Sequence, residues 1–195
     1  VYNMYVGREP RFYASINFNG QQWRGRQLEF WQGGKDGINV SKVDYCCTGY
    51  LLRKTADEGV DVINGKGGMK EASILFRVGS LYLDYAEALN EAEGPVDDVY
   101  KYVDAIRKRA GLPGLAKGLD KDKMRELIHN ERRIELSFEG FRFWDLRRWK
   151  DSITETATGM SINNTSGTFT KIDVDTRNYK DYMYYGPVPY TEMLK

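Results

Sequence analysis

Two glutamates between Lys123 and Lys150 come closest, by type and spacing, to catalytic chemistry. Glu131 and Glu135 are four residues apart, so a helix would place them one turn apart. A glycoside hydrolase uses two carboxylates about 5 to 10 Å apart across a sugar. However, Glu131 shares its predicted helical face with a set of apolar residues, namely Met124, Leu127, Ile128, Ile134 and Phe138. A carboxylate on such a face is costly to bury unless it is paired and hydrogen-bonded.

Arginines that follow the two glutamates offer the partners that buried carboxylates need. Arg142, Arg147 and Arg148 lie just beyond a Glu-Gly break in the helical pattern. A guanidinium group can hold a carboxylate at two points. So many arginines would keep Glu131 and Glu135 ionised and would not raise the pKa as a catalytic acid requires. We therefore predict a structural ion-pair cluster of these two glutamates with the three arginines, and no catalytic residues.

Other catalytic arrangements and metal sites have little support. The single histidine, His129, makes a Ser-His-Asp or Cys-His arrangement improbable, and we expect it to be partly exposed. The adjacent Cys46 and Cys47 fit a mutual disulfide poorly, so we expect both thiols to be unpaired. Loop carboxylates make a calcium site conceivable, although such a loop is more often simply solvated. These carboxylates are Asp57, Glu58 and Asp61. We predict no bound metal and no cofactor.

Aromatic residues beside glycine-rich turns are the best candidates for ligand binding. Trp23 and Trp31 each flank such a turn, and an indole face can stack on the apolar face of a pyranose. Gln22 and Arg24 could bond sugar hydroxyls, and Tyr5 could extend the same platform. Each tryptophan could equally belong to the core. We therefore predict a glycan-binding surface at these five residues, with burial of both tryptophans as the observation that would exclude it.

The composition narrows the possible partners. The chain has 195 residues, with 29 lysines and arginines against 28 aspartates and glutamates. A net charge so close to zero argues against nucleic acid as the main partner, because binding phosphates requires a basic surface. No run of about 18 apolar residues is present, so the sequence predicts no membrane-spanning helix. The 14 tyrosines suit stacking on neutral ligands such as sugars, but tyrosine also fills cores and interfaces.

The segments around these residues suggest a single domain over residues 1–195. Residues 1–70 are rich in glycine and asparagine and are predicted to be loops with short strands. Residues 71–150 have helical periodicity, and residues 151–195 form an irregular aromatic tail that contains a loop or hairpin. Two strands are predicted in the first segment, at Arg11–Phe18 and at Gln27–Trp31. The fold is therefore expected to be mostly α.

The first predicted helix begins near Ile74 and ends at Gly94. Its apolar stripe comprises Leu75, Val78, Tyr82, Tyr85 and Leu89. A second helix follows after a short turn and ends at Gly111, so the two should form an antiparallel hairpin that resembles one tetratricopeptide unit. Asp97 or Asp98 could cap this second helix.

A third helix is predicted from a cap at Asp120 to about Phe138. Most of the aromatic residues that follow it should be wedged between helices in the core. These include Phe141, Phe143, Trp144 and Trp149. The tail should then pack on the helices as an extended segment, anchored by Tyr184, Tyr185 and two prolines.

The stretch ERRIELSFEGFRFWDLRRW at Glu131–Trp149 resembles the signature of the SusD/RagB family of glycan-binding surface lipoproteins. Four further segments resemble the family in the same order along the chain. They are Arg8–Gly20, Leu81–Ala92, Tyr100–Leu115 and Gly186–Leu194. The chain departs from the family pattern at Glu9, where aspartate is usual, and at Gly79-Ser80, where Ala-Glu is usual.

The resemblance implies a mostly helical, tetratricopeptide-like fold and a protein without catalytic activity. It implies a lipid-anchored protein of the outer-membrane surface that captures oligosaccharide or polysaccharide for a TonB-dependent transporter. The transporter would be the main partner and would meet the helical-repeat side. Family members are much longer, so we expect the chain to be the C-terminal part of a longer protein. Two other functions remain open: a helical protein–protein scaffold without sugar affinity and, less expected, a glycoside hydrolase.

Overall fold

The computed structural model describes residues 3–37, 46–60, 74–151 and 156–194. Within them the helices are α1 (Pro10–Ser15), α2 (Val78–Glu93), α3 (Asp97–Arg109), α4 (Lys121–Glu135), α5 (Phe141–Trp149) and α6 (Tyr190–Met193). The strands are β1 (Ile16–Asn17), β2 (Gln22–Trp23), β3 (Arg26–Gln27), β4 (Leu51–Leu52), β5 (Ala157–Asn163) and β6 (Thr168–Asp175). Three antiparallel pairs form, β1 with β4, β2 with β3 and β5 with β6. The prediction of a mostly α fold with short strands is confirmed.

Helices α2, α3 and α4 pack together and form the main core. Gly94 ends α2 with a φ of 82° and a ψ of −169°, a backbone conformation open essentially to glycine alone, and α3 begins three residues later. The core side chains are Ala86, Val99, Tyr100, Val103, Met124 and Ile128. The small Ala86 lets the helices approach closely. The side-chain amide of Asn90 on α2 donates to the carbonyl oxygen of Lys121 at 3.0 Å, which joins α2 to the start of α4.

Helix α2 buries only part of the predicted stripe, because Tyr82 and Leu89 pack partly against the core whereas Val78 and Tyr85 do not. Its buried residues are Gly79, Ser80, Leu83, Ala86, Glu87 and Asn90. Val78, Leu81 and Tyr85 of the opposite face are exposed, as is Leu75 before the helix. Because α2 carries apolar residues on both faces, periodicity alone could not decide which face α3 and α4 cover.

The helix boundaries are only partly as predicted. Asp120 caps α4 as predicted, because its carboxylate accepts a hydrogen bond from the backbone N–H of Lys123 at 2.7 Å. The predicted cap of α3 is wrong, since Val96 occupies that position and Asp97 is already the first helical residue. Helix α4 ends before Phe138, which has a φ of 65° and turns the chain toward α5.

The N-terminal segment contains a helix where a strand was predicted. Pro10 begins α1, because its fixed φ suits the first position of a helix, and the chain becomes extended only at Ile16.

A second core lies beneath this segment and the β5–β6 hairpin. It comprises Leu28, Phe30, Cys46 and Ile162. Cys46 is buried here, Cys47 is exposed, and both thiols are free, as expected.

Candidate functional site

Glu131 and Glu135 lie on the inner face of α4 and are both buried. Arg11 of α1 donates to Glu131 at 2.7 Å and to Glu135 at 3.0 Å. Arg107, near the end of α3, donates to Glu131 at 3.1 Å. Glu135 also accepts from Arg77 at 2.8 Å and from Arg109. Three separate parts of the chain therefore meet at two carboxylates.

A third carboxylate extends this group. Glu139 accepts from Arg77 at 2.7 Å and from the ammonium group of Lys54 at 2.5 Å. Lys54 also donates to the carbonyl oxygen of Glu135 at 2.7 Å. We call this group the ion-pair cluster; it comprises Glu131, Glu135, Glu139, Arg11, Lys54, Arg77, Arg107 and Arg109. It ties the loop-rich N-terminal segment to all three core helices.

The arginines that were predicted to pair with Glu131 and Glu135 lie elsewhere, and that prediction is wrong. Arg148 forms a bidentate pair with Glu87 and also bonds Asp145. The guanidinium group of Arg147 lies 3.4 Å from the ring centroid of Phe143, and that of Arg142 lies 6.0 Å from the ring of Trp149. All three belong to α5. Partners that reach the two glutamates instead come from sequence-distant segments that packing brings to α4.

The electrostatics of the ion-pair cluster do not suit acid–base catalysis. Burial alone would raise the pKa of Glu135, but hydrogen bonds from Arg109, Arg77 and Arg11 outweigh it and hold that pKa below its ordinary value. A general acid at neutral pH needs the opposite shift. Both glutamates of the pair considered for a glycoside hydrolase are thus held by arginines.

Within the predicted glycan platform, Trp23 lies on the short hairpin of β2 and β3 and Trp31 lies in the turn that follows it, and both tryptophans are half-buried. Trp23 and Trp31 both pack against the second core. The guanidinium group of Arg53 lies 5.3 Å from the Trp23 ring centroid and so occupies one of its faces. Gln22 is exposed, and Arg24, also exposed, donates to the carbonyl oxygen of Asp57 at 2.9 Å. Since neither tryptophan is fully buried, the observation that would exclude this platform is not met.

Tyr5 cannot contact a ligand in this fold, which corrects its place in the predicted platform. Its side chain is only 1% exposed. Its ring stacks with that of Phe12, lies tilted against that of Phe18, and meets Tyr50 and Phe169 edge-on. Tyr5 therefore belongs to an aromatic part of the core, and its burial could not be predicted from its position in the sequence.

An aromatic groove that sequence reasoning missed lies between α5 and the C-terminal segment. It has a volume of about 640 Å³. Its lining includes Phe143, Trp144, Arg147, Tyr179, Tyr182 and Tyr185. Trp144 is 66% exposed and Tyr185 is 75% exposed, so the expectation that these residues are buried or act as anchors is wrong. The dense run of tyrosines in KDYMYYGPVPY was the available signal.

His129 and the described loop carboxylates, Asp57 and Glu58, have partners within the protein. The imidazole of His129 stacks on the indole of Trp149, with ring centroids 3.5 Å apart, and burial lowers its pKa. Asp57 accepts from the backbone N–H of Gly59, Glu58 pairs with Arg53, and Asp61 lies outside the described residues. In the described ranges, no group of three or more histidine, cysteine or acidic residues could hold a metal ion. No described helix is long and apolar enough to cross a bilayer.

Comparisons with known proteins agree with this fold. A model of the SusD family matches residues 1–195. A SusD-like protein of Formosa agariphila is 40% identical over 79 residues, which cover 39% of this chain and 15% of that protein. A second SusD-like protein of that organism is 35% identical over 95 residues, covering 44% of this chain and 19% of the relative.

Solved structures extend the similarity to almost the whole chain. The crystal structure of a SusD-like protein from Bacteroides fragilis is 36% identical and superposes with a TM-score of 0.86, covering 98% of this chain and 38% of that one. A SusD-like carbohydrate binding protein from the same species, 23% identical, shares the fold with a TM-score of 0.79, covering 99% of this chain and 42% of that one. The chain thus spans well under half of the relatives' length. On the family match and the fold together, the chain belongs to the SusD family.

Proposed function

We propose that the chain binds oligosaccharide without catalysis, and that the aromatic groove is its main sugar-binding surface. The observation that carries the proposal is the exposure of Trp144, Tyr182 and Tyr185 along one groove. Sugar rings present apolar C–H faces that stack on aromatic rings, while their hydroxyls need hydrogen-bond donors. The guanidinium group of Arg147, which bonds only the Phe143 carbonyl oxygen within the described residues, supplies such donors.

The β2–β3 hairpin is a second candidate sugar contact. Trp23 on the hairpin and Trp31 just after it expose part of their rings, and the exposed amide of Gln22 makes no hydrogen bond with the described residues. A sugar that stacked on the face of Trp23 now covered by Arg53 would have to displace that guanidinium group. Displacing a cation–π contact costs about 0.5 to 1 kcal/mol at an exposed site. This cost favours the aromatic groove as the stronger site.

The exposed face of α2 is our candidate for contact with a transporter. Val78, Leu81 and Tyr85 recur at spacings of three and four and form one exposed apolar stripe. Contiguous apolar surface of this kind marks sites of protein association. We propose that this stripe meets a TonB-dependent outer-membrane transporter, to which the chain passes captured glycan. In this function the protein sits at the cell surface, lipid-anchored to the outer membrane.

Titration with a panel of neutral oligosaccharides, followed by tryptophan fluorescence and calorimetry, tests the sugar site. Loss of one aromatic stacking contact of about 1 kcal/mol should weaken binding about fivefold. We expect this loss for Trp144→Ala and for Tyr185→Ala. Tyr190→Ala is the matched control, because Tyr190 is also an exposed tyrosine of the tail but does not line the groove.

The outcomes of this titration separate the candidate sites. If Trp23→Ala abolishes binding and Trp144→Ala does not, the sugar lies on the β2–β3 hairpin and the groove assignment fails. If the folded chain, checked by circular dichroism, binds none of the sugars, the glycan-binding proposal fails for this chain.

Association with a transporter tests the α2 stripe. The variant Leu81→Glu, Tyr85→Glu should lose co-purification with a SusC-like transporter. Ala105→Glu places the same charge on an exposed position of α3 and should retain it. Co-purification that survives in both variants would exclude the stripe as the contact. A stripe that binds other proteins, in a chain without sugar affinity, would instead indicate a protein–protein scaffold.

A further inference from the structure

A second cavity lies on the outer side of α4, away from the aromatic groove. It opens between α1 and α4 and has a volume of about 580 Å³, which is within the range of small-molecule sites. Its apolar floor is formed by Phe12, Ile16 and Ile134. Asn130 and Ser137 add an amide and a hydroxyl group at the wall. This combination of apolar floor and polar wall suits a small ligand with both kinds of surface.

Two arginines at this cavity have donors to spare. Arg133 is exposed and makes no ion pair or hydrogen bond with any residue that the structure describes. Arg8 uses its Nε to donate to the carbonyl oxygen of Met4 at 2.8 Å, and its terminal nitrogens have no partner in the described ranges. A guanidinium group is the preferred partner of carboxylate and sulfate oxygens, because its planar fork can donate twice.

The charge around the cavity is positive although the chain as a whole is nearly neutral. Among the described lining residues the one carboxylate is Glu9, which is neutralised by Arg11, whose Nη2 bonds it at 3.0 Å. Arg11 is in turn the cation that the buried Glu131 and Glu135 share. Among the described lining residues, three arginines, Arg8, Arg11 and Arg133, therefore stand against one carboxylate, Glu9. This excess would attract an anion to the cavity.

We propose that this cavity binds the anionic group of an acidic sugar unit, a carboxylate or a sulfate ester, with the ring on the apolar floor. Arg8 and Arg133 hold the charge, and Asn130 and Ser137 bond ring hydroxyls. The identity of the ligand as a saccharide rests on the proposed function, and the cavity makes that function specific for acidic glycans. A bare anion would leave the apolar floor unused, which is why the ligand carries a ring.

Three monosaccharides that differ only at C6 provide the test: glucose, glucuronic acid and glucose 6-sulfate. Binding is measured by NMR titration of backbone amides and by calorimetry. We expect the acidic sugars to bind at least about tenfold more tightly than glucose, with the difference shrinking as salt rises. The chemical-shift changes should centre on α1 and α4. Comparing glucuronic acid with glucose 6-sulfate shows whether the cavity prefers a carboxylate or a sulfate ester. Tighter binding of either acidic sugar supports the proposal.

Arg133→Met is the decisive variant because Arg133 makes no hydrogen bond or ion pair with the described residues, so the fold should persist. It should lose most of the acidic preference, and the double variant Arg8→Met, Arg133→Met should lose all of it. Arg177→Met removes the same charge from an exposed side chain that does not line the cavity, and it should keep the preference.

Several results would overturn the proposal. These are equal binding of glucose and the acidic sugars, equal losses in Arg177→Met and Arg133→Met, and inorganic phosphate binding as tightly as glucuronic acid. In each case neutral oligosaccharides could still bind the aromatic groove in a way sensitive to Trp144→Ala. Failure of the acidic site is therefore distinguishable from failure of the glycan-binding function.

Discussion

Replacing Glu135 with glutamine tests whether the ion-pair cluster holds the N-terminal segment on the helices. The side chain of Glu135 is 3% exposed and accepts hydrogen bonds from Arg11, Arg77 and Arg109. Glutamine has nearly the same size, so the substitution removes the charge and leaves the packing. Removing one partner of a buried ion pair typically costs 3 to 5 kcal/mol, because the remaining charge is left uncompensated.

The arrangement places this substitution at the low end of that range. Arg11 would keep Glu131 and Glu9, and Arg77 would keep Glu139. Arg109 is 58% exposed and can turn to water. Since Arg11 and Arg77 retain carboxylate partners and Arg109 can be hydrated, we expect a loss of about 3 kcal/mol in the free energy of unfolding.

Urea denaturation followed by circular dichroism measures this loss. Glu126→Gln, which removes the same charge from an exposed position of the same helix, is the control and should leave the midpoint unchanged. A loss of less than about 1 kcal/mol for Glu135→Gln would mean that the cluster contributes no more than a surface pair, which would refute this reasoning.

Three further predictions concern pH and backbone conformation. The folded-state pKa of Glu135 lies below its unfolded value of about 4.3, so its contribution to stability is complete above pH 4.3 and is lost as the pH falls through the folded pKa. The acid side of a stability–pH curve should therefore be shallower in Glu135→Gln than in the wild type. NMR titration of His129 should give a pKa below 6.5, and Trp149→Ala should raise it by removing the stacked ring that buries the imidazole; an unchanged pKa would assign the shift to another cause. In thermal melts, Gly94→Ala should lower the free energy of unfolding by about 2 kcal/mol and Gly140→Ala by about 1 kcal/mol. The difference is expected because Gly94 has a ψ of −169°, whereas Gly140 has a left-handed conformation with a ψ of −7°. Equal losses would contradict this conformational explanation.

Local features were predictable from the sequence wherever the signal was itself local. The cap at Asp120 depends on a residue and a backbone N–H three positions apart, and it was predicted correctly. The strand predicted at Arg11–Phe18 failed because alternation competed with a second local signal, the helix-starting Pro10. A proline that fixes φ at the first helical position outweighs a weak alternation of period two.

Contacts between segments that are distant in the sequence could not be predicted from sequence patterns. That Glu131 and Glu135 would be buried and need cations follows from their place on an apolar stripe. Which cations reach them depends on how α1, α2 and α3 pack, and Arg11 stands 120 residues before Glu131. Arg148 of α5, one of the arginines predicted to reach them, pairs with Glu87 and Asp145 instead. Exposure of Trp144 was hidden for the same reason, since an aromatic residue on a short helix predicts burial unless its neighbours are known.

The two faces of helix α4 have different roles in our proposal: the inner face stabilises the fold and the outer face binds the ligand. Its inner face carries Glu131 and Glu135, whose partners fix α1 against the bundle. Its outer face carries Asn130 and Arg133, which line the proposed acidic-sugar cavity together with residues of that same α1. Because the inner pairs set the position of α1, they also preorganise the cavity, and preorganised sites bind with less loss of entropy. Arg133→Met should therefore weaken acidic-sugar binding without changing the unfolding midpoint, whereas Glu135→Gln should both lower the midpoint and weaken binding. A Glu135→Gln chain that binds acidic sugars with wild-type affinity would show that the two faces of α4 are independent.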